Sequence, residues 1–254
     1  MDNITNHGEG SLRERLAADF LTFPPMAEQT PAQRREYRKR LAELGRLERR
    51  ELQSSCTGRP LVWGNPAALL QSFLSAAQRL AAGLGQPLLL FPAKDAAIGS
   101  DTLLHPRVLT VTMAAILADA CIAAPRRPVW VRLQEQREAL AITVTAETPF
   151  ATADTLAITK ECTRLHDGSL VHCDNTLIFT CGQQAVPPPG VRLYGCPTEE
   201  DLLQDTLSPV WSGFYATIYS AVSSSATGLN SKSAEATSTA SAASLSSTSE
   251  RESS

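Results

Sequence analysis

"VLTVTMAAILADACIAAPRRPVWVRLQEQREALAITV", Val108 to Val144, contains the change of period that decides the fold. In its first half Leu109, Met113, Ile116, Leu117 and Ala120 recur at helical intervals, and Pro125 and Pro128 end the helix. From Val129 the repeat becomes two. Val129, Val131 and Leu133 share one face, and Leu140, Ile142 and Val144 repeat the alternation after a charged turn at Glu135 to Glu138. A helix over 106–124 followed by an antiparallel hairpin is expected.

Toward the N-terminus, Pro87 to Phe91 is a short apolar run suited to a buried strand, followed by a polar turn at Lys94 and Asp95. Before it, Asn65 caps a helix from Pro66 to Ala82 with Leu69, Leu70, Phe73, Leu74, Ala77 and Leu80 in one stripe, stopped by Gly83 and Gly85. A loop marked by Gly58, Pro60 and Gly64 separates it from an earlier helix, Thr30 to Gln53. That helix has Thr30 as N-cap, Pro31 at its first position and Tyr37, Leu41, Leu44 and Leu47 at helical spacing. Toward the C-terminus a helix from Ala153 to Leu165 leads to a second hairpin, Ser169 to Cys173 and Thr176 to Cys181, turned at Asp174-Asn175. The expected class is α+β: a two-layer sandwich with helices on one face of a mixed sheet, preceded by a helical hairpin. Pro187, Pro188, Pro189 and Gly190 interrupt the chain, and Val210 to Val222 is an amphipathic segment expected to dock on the body.

Composition excludes several classes. A net charge of -3 gives no long-range attraction for nucleic acid or anionic lipid. The one basic stretch, Pro31 to Leu52, carries eight basic and four acidic residues and reads as a solvated helix face. Met1 to Phe20 lacks the apolar core of a secretory signal, and no run of about 18 apolar residues is expected to span a bilayer. A cytoplasmic location follows, with Cys56, Cys121, Cys162, Cys173, Cys181 and Cys196 as free thiols. Cys162 and His166 stand four apart on one helix, but His172 and Cys173 are neighbours in a strand and project to opposite faces, so no metal site is expected. No Gly-x-Ser-x-Gly occurs, and Asp95 and Asp101 read as solvated loop residues.

The order of elements and three stretches resemble the C-terminal half of sensor histidine kinases, a dimerisation hairpin followed by the ATPase domain shared with gyrase, the Hsp90 chaperone and MutL. "VLTVTMAAILADACIAA" (Val108 to Ala124) resembles the asparagine-box helix, "LAITVTAETPF" (Leu140 to Phe150) the strand into the first glycine box, and "ECTRLHDGSL" (Glu161 to Leu170) the turn into the last hairpin. The resemblance covers about 115 residues, 65–182, and implies the following division. Residues 1–29 form a poorly ordered segment, 30–84 a dimerisation-like hairpin, 85–186 a degenerate ATPase domain, 187–222 a Pro-rich linker with the amphipathic segment, and 223–254 a disordered Ser/Ala/Thr tail.

The family's chemistry needs two polar groups on the asparagine-box helix, an adenine-binding aspartate with glycines after it, and a glycine-rich lid. In register these fall on Asp119 and Ala115, on Ala146, Thr148 and Phe150, and on Ala153 to Leu156 with Thr155 at a glycine position. Only Asp119 retains a polar group that could hold Mg²⁺. Thr30 to Gln53 contains no histidine to accept a phosphoryl group, since the only histidines are His7, His105, His166 and His172. The resemblance therefore implies a pseudo-ATPase without catalytic residues or cofactor, a regulatory protein of two-component signalling. It would dimerise through its hairpin and bind a protein such as a response regulator or a kinase, with no nucleic-acid or membrane partner. The alternatives are an ATP- and Mg²⁺-binding kinase, and an adaptor that uses its C-terminal segment.

Overall fold

The computed structural model describes residues 18, 20, 22–24, 28–54, 61–91, 101–136, 139–182 and 187–223. The expected disorder of 1–29 and 223–254 falls almost wholly outside these residues, as do Gly58, Pro60, the turn at Lys94 and Asp95, and Cys56.

Both helices expected ahead of the sheet are present. Helix α1 (Pro31–Ser54) opens on a reciprocal cap: Gln33 N–H donates to Thr30 Oγ1 at 3.3 Å, and Thr30 N–H donates to Gln33 Oε1 at 2.8 Å. A three-residue strand, β1 (Val62–Gly64), precedes α2 (Pro66–Gly83), whose N-cap Asn65 accepts from Ala68 N–H at 2.9 Å. Then come β2 (Leu88–Phe91), β3 (Thr102–Leu104), α3 (Pro106–Ala123), β4 (Val129–Gln136), β5 (Ala139–Thr145), α4 (Ala153–Leu165), β6 (Leu170–Cys173), β7 (Thr176–Gly182) and α5 (Glu199–Gln204). A last helix, 209–223, is π-helical over Val210–Tyr215.

The main sheet runs β2-β4-β5-β7-β6, with β2 parallel to β4 and every other pair antiparallel. Alternation sends Val129, Val131, Leu133, Leu140, Ile142, Val144, Leu177, Phe179 and Cys181 into one core with α2 and α3, while Arg132 on the opposite face of the sheet is exposed. β1 and β3 form a separate antiparallel pair, Val62 opposite Leu104, that closes the end of the core beside the start of α3. Neither three-residue strand was expected from the sequence.

α3 is apolar on all sides, and from Val108 to Cys121 every residue except Asp119 is buried. By length and composition this helix would suffice to cross a bilayer, contrary to the expectation that no such run exists. It is instead the central helix of the core, with 72% of its apolar window buried.

Beyond Pro189 the chain returns to the body. Tyr194 N–H donates to Trp63 O at 2.6 Å, and α5 lies against α2. The helix 209–223 docks as expected, wedged between α1 and α3 with Val210, Phe214 and Ile218 in the core. The crossing is close at two glycines, since a Cβ on Gly45 would stand 2.4 Å from Ser212 O and one on Gly213 would stand 2.9 Å from Ala114 Cβ. The apolar stripe of α1 (Tyr37, Leu41, Leu44) therefore packs within this chain, around Ala216, Leu207 and Trp211.

Candidate functional site

The nucleotide position implied by the sequence lies between the C-terminal half of α3 and the start of α4. Ala115 is fully buried and Ala146 is 1% exposed, so neither offers a polar group or room for one. Ala146 N–H donates to Asn175 O at 3.0 Å and Phe150 N–H to Asp174 O at 3.4 Å, which ties this segment to the turn between β6 and β7. Thr148 is exposed and its hydroxyl donates to Ala123 O at 2.8 Å, one of the terminal carbonyls of α3. Phe150 packs into the core and meets His172 edge to face at 6.5 Å.

Asp119 is committed within the chain. Its Oδ2 accepts from Thr152 N–H at 2.7 Å and from Thr152 Oγ1 at 2.9 Å. Thr152 is the N-cap of α4, and its hydroxyl also accepts from Thr155 N–H at 3.3 Å. Thr155, at the lost glycine position, is 1% exposed and forms the first turn of α4. Only 146–152, without a glycine, connect β5 to α4, and Ala151 there has φ of 73°. An alanine in the left-handed region is strained by roughly 1 kcal/mol and persists only where neighbours hold it. The Asp119–Thr152 pair supplies that hold on the next residue.

α1 covers what remains. Gln53 Nε2 donates to Asp154 O at 3.2 Å. Arg49 lies within electrostatic reach of Asp119 and Asp154: burial lowers its pKa by more than the two carboxylates raise it, and Arg46 lowers it further. A protein cation thus lies near the carboxylate aligned with the family's Mg²⁺ ligand. With no adenine acceptor at 146, no backbone cradle at 148, 150 or 155, and Asp119 engaged by Thr152, these residues do not fit Mg²⁺-ATP. The contribution of α1 to these surroundings was not foreseen in the sequence. The one available signal was Glu48, a carboxylate in the apolar stripe of α1. Glu48 is 3% exposed, pairs with Arg107 of α3 and accepts from Ser212 Oγ at 3.4 Å.

Two of the four histidines meet at the other end of α3. His166, at the end of α4, is 3% exposed; its Nε2 accepts from His105 N–H at 3.1 Å, so Nδ1 carries the proton and donates to Cys162 O at 2.7 Å. Only the first bond requires a neutral ring, since Nδ1–H donates to Cys162 O in either charge state. Burial lowers the His166 pKa, the Cys162 carbonyl raises it, His105 lowers it and Asp167 raises it, with a net lowering. The unfolded chain, with its histidine near pH ~6.5, binds a proton first as pH falls, so this contribution to stability is full above that value and is lost on acidification toward the folded pKa. Unfolding midpoints measured from pH 7.5 to 5 are expected to fall with pH in that window, and less steeply in His166→Gln. Equal slopes in the two proteins would contradict the assignment. Cys162 Sγ lies 3.7 Å from His166 Nδ1 but, among the described residues, no three His, Cys, Asp or Glu gather as a metal site. Cys121, Cys162, Cys173, Cys181 and Cys196 form no disulfide among the described residues.

Cavities of about 530, 190 and 630 Å³ lie at the start of α3, between α2 and β2, and beside α4 and β6. None is lined by Asp119, Ala115, Ala146, Thr148, Phe150 or Thr155.

No family model matches this sequence and no curated protein matches it. Solved structures do. The histidine kinase AdeS of Acinetobacter baumannii is 10% identical at a TM-score of 0.45, over 71% of this chain and 96% of its own. Full-length ShkA, solved with AMPPNP, is 14% identical at 0.49 over 71% of this chain, which spans 46% of the ShkA chain. A histidine kinase from Burkholderia phymatum is 17% identical at 0.39 over 68% of this chain and 88% of its own. The chain resembles histidine kinases. At such identities and TM-scores what this site can do depends on its own residues alone.

Proposed function

We propose that this is a non-enzymatic regulatory protein, a histidine-kinase-like ATPase fold that no longer takes nucleotide and acts in the cytoplasm through protein partners of two-component signalling. One observation carries the reading: Asp119, the residue aligned with the family's Mg²⁺ ligand, is engaged by Thr152 and lies within electrostatic reach of Arg49. A fold can persist for its surface after its site has gone. Self-association belongs to the same proposal, but the apolar stripe of α1 is buried within the chain, so a dimer would rest on other surfaces.

Titration with labelled ATP and Mg²⁺ tests the nucleotide half of the proposal. No saturable binding is expected up to millimolar nucleotide, and Asp119→Ala is expected to lower stability by about 1–3 kcal/mol through its lost hydrogen bonds. Saturable micromolar binding that disappears in Asp119→Ala would overturn the proposal in favour of an active kinase.

A further inference from the structure

The 530 Å³ cavity lies at the opposite end of α3 from Asp119, about 18 Å away along the helix at 1.5 Å per residue between Arg107 and Asp119. It has the size of an ordinary small-molecule site, and its walls are mainly apolar, built by Val62, Leu69, Val108 and Leu202. Arg107 also lines it. One Nη of that guanidinium is paired with Glu48, which fixes the side chain from behind. The Arg107 side chain remains 32% exposed, and its charge reaches Tyr194, another residue of the wall: burial and Cys196 raise the Tyr194 pKa and Arg107 lowers it.

The first turn of α3 supports the same sign of charge. Pro106, Arg107 and Val108 line the cavity, the N-cap His105 gives the helix no side-chain cap, and the first turn contains no acidic residue. The amides and dipole of an 18-residue helix therefore favour an anion there. The rim is of opposite character. Asp201 and Asp205 line the cavity but are exposed, and their carboxylates accept from Thr198 N–H at 2.9 Å and Leu207 N–H at 3.0 Å. Two rim carboxylates disfavour a polyanion such as a nucleotide or a phosphate ester, whose outer charges would lie against them. They tolerate a single inward anion on an uncharged body, and they would favour an outward ammonium.

We propose that this cavity is a binding site for a small carboxylate with an apolar body, held by the Arg107 guanidinium and the first turn of α3, as in an apolar amino acid or an aryl- or alkyl-carboxylic acid. The site is independent of the nucleotide reading, and either can fail without the other.

Isothermal titration of the full chain with 3-phenylpropanoate, L-phenylalanine and the neutral 3-phenylpropan-1-ol tests it. The carboxylate is expected to bind at least about tenfold tighter than the alcohol. Arg107→Lys, which keeps a cation for Glu48 but loses the planar guanidinium fork, is expected to lose about tenfold for the carboxylates and nothing for the alcohol. Val62→Trp, which fills the cavity without touching the Arg107–Glu48 pair, is expected to abolish binding of all three. L-Phenylalanine binding tighter than 3-phenylpropanoate identifies an amino acid as the ligand and the rim carboxylates as its ammonium partners; the reverse identifies a simple carboxylic acid. Equal affinity for alcohol and carboxylate, unchanged binding in Val62→Trp, or no saturable binding of either carboxylate would overturn the proposal.

Discussion

Replacing Gly45 by valine is expected to lower the melting temperature by about 6–12 °C, from a loss of about 3 kcal/mol. The neighbours of an added Cβ are backbone: Ser212 O at 2.4 Å, Ser212 C at 2.7 Å and Gly213 Cα at 3.1 Å. No rotamer change can move them, so α1 and the helix 209–223 must part. The helix 209–223 is in turn held against α3, where Gly213 faces Ala114. Separation would thus uncover Phe214 and Val210, both fully buried, and withdraw Ser212 from Glu48. Arg46→Ala, one residue along and exposed, serves as control and is expected within about 0.5 kcal/mol of the parent. Faster chymotryptic cleavage between Trp211 and Tyr219 in Gly45→Val would locate the damage. Unchanged stability and cleavage would mean that the two helices do not cross there.

The contrast between those helices and the rest shows which parts of the fold were legible in the chain. α2 and α3 carry apolar residues at helical spacing, with Asn65 capping α2 and prolines ending α3, and β4, β5 and β7 largely alternate, so local pattern sufficed there. β1 and β3 are three residues each, too short to display a period, and exist because Val62 and Leu104 pair across the end of the core. α5 did carry a signal, Thr198 with Asp201 three residues on, where both reciprocal bonds form. The crossing of α1 and the helix 209–223 had none, because a glycine within a helix is silent about what approaches it.

The candidate site divides in the same way. That Ala115, Ala146 and Phe150 carry no side-chain donor or acceptor is read directly from the sequence and holds in any conformation. The contacts formed around them could not be read. Thr152 turns back to Asp119 across 33 residues, and Gln53 reaches Asp154 across 101. The basic run of α1 read as a solvated face, and Arg34, Arg35, Lys39, Arg46 and Arg50 are indeed exposed. Arg49 differs from them because the helix turns it toward two carboxylates contributed by α3 and α4. Long-range contacts of this kind leave no local trace in the sequence.

The largest single effect is expected at Gly168, in the turn that joins α4 to the last hairpin. Its N–H donates to Thr163 O at 2.8 Å, closing the six-residue loop that ends α4, while Asp167 before it has φ of 47°. The left-handed residue is thus the aspartate. Gly168 is needed for a different reason: a Cβ there would lie 1.8 Å from Thr180 O and 2.7 Å from Thr180 C. Those atoms belong to β7, an inner strand of the main sheet, and they are held by their own bonds. Thr180 N–H donates to Ser169 O at 2.9 Å, Ser169 N–H to Thr180 Oγ1 at 2.8 Å, and Gly182 N–H to His166 O at 2.7 Å. Gly168→Ala must displace this whole set, and a loss of roughly 4 kcal/mol or more is expected in urea unfolding. Asp167→Gly, at the adjacent residue, removes a left-handed side chain instead and is expected to leave stability unchanged or raise it by less than about 1 kcal/mol. If Gly168→Ala proved as stable as Asp167→Gly, the turn could not approach β7 as closely as this, and the bond that keeps His166 neutral beneath His105 would need another explanation.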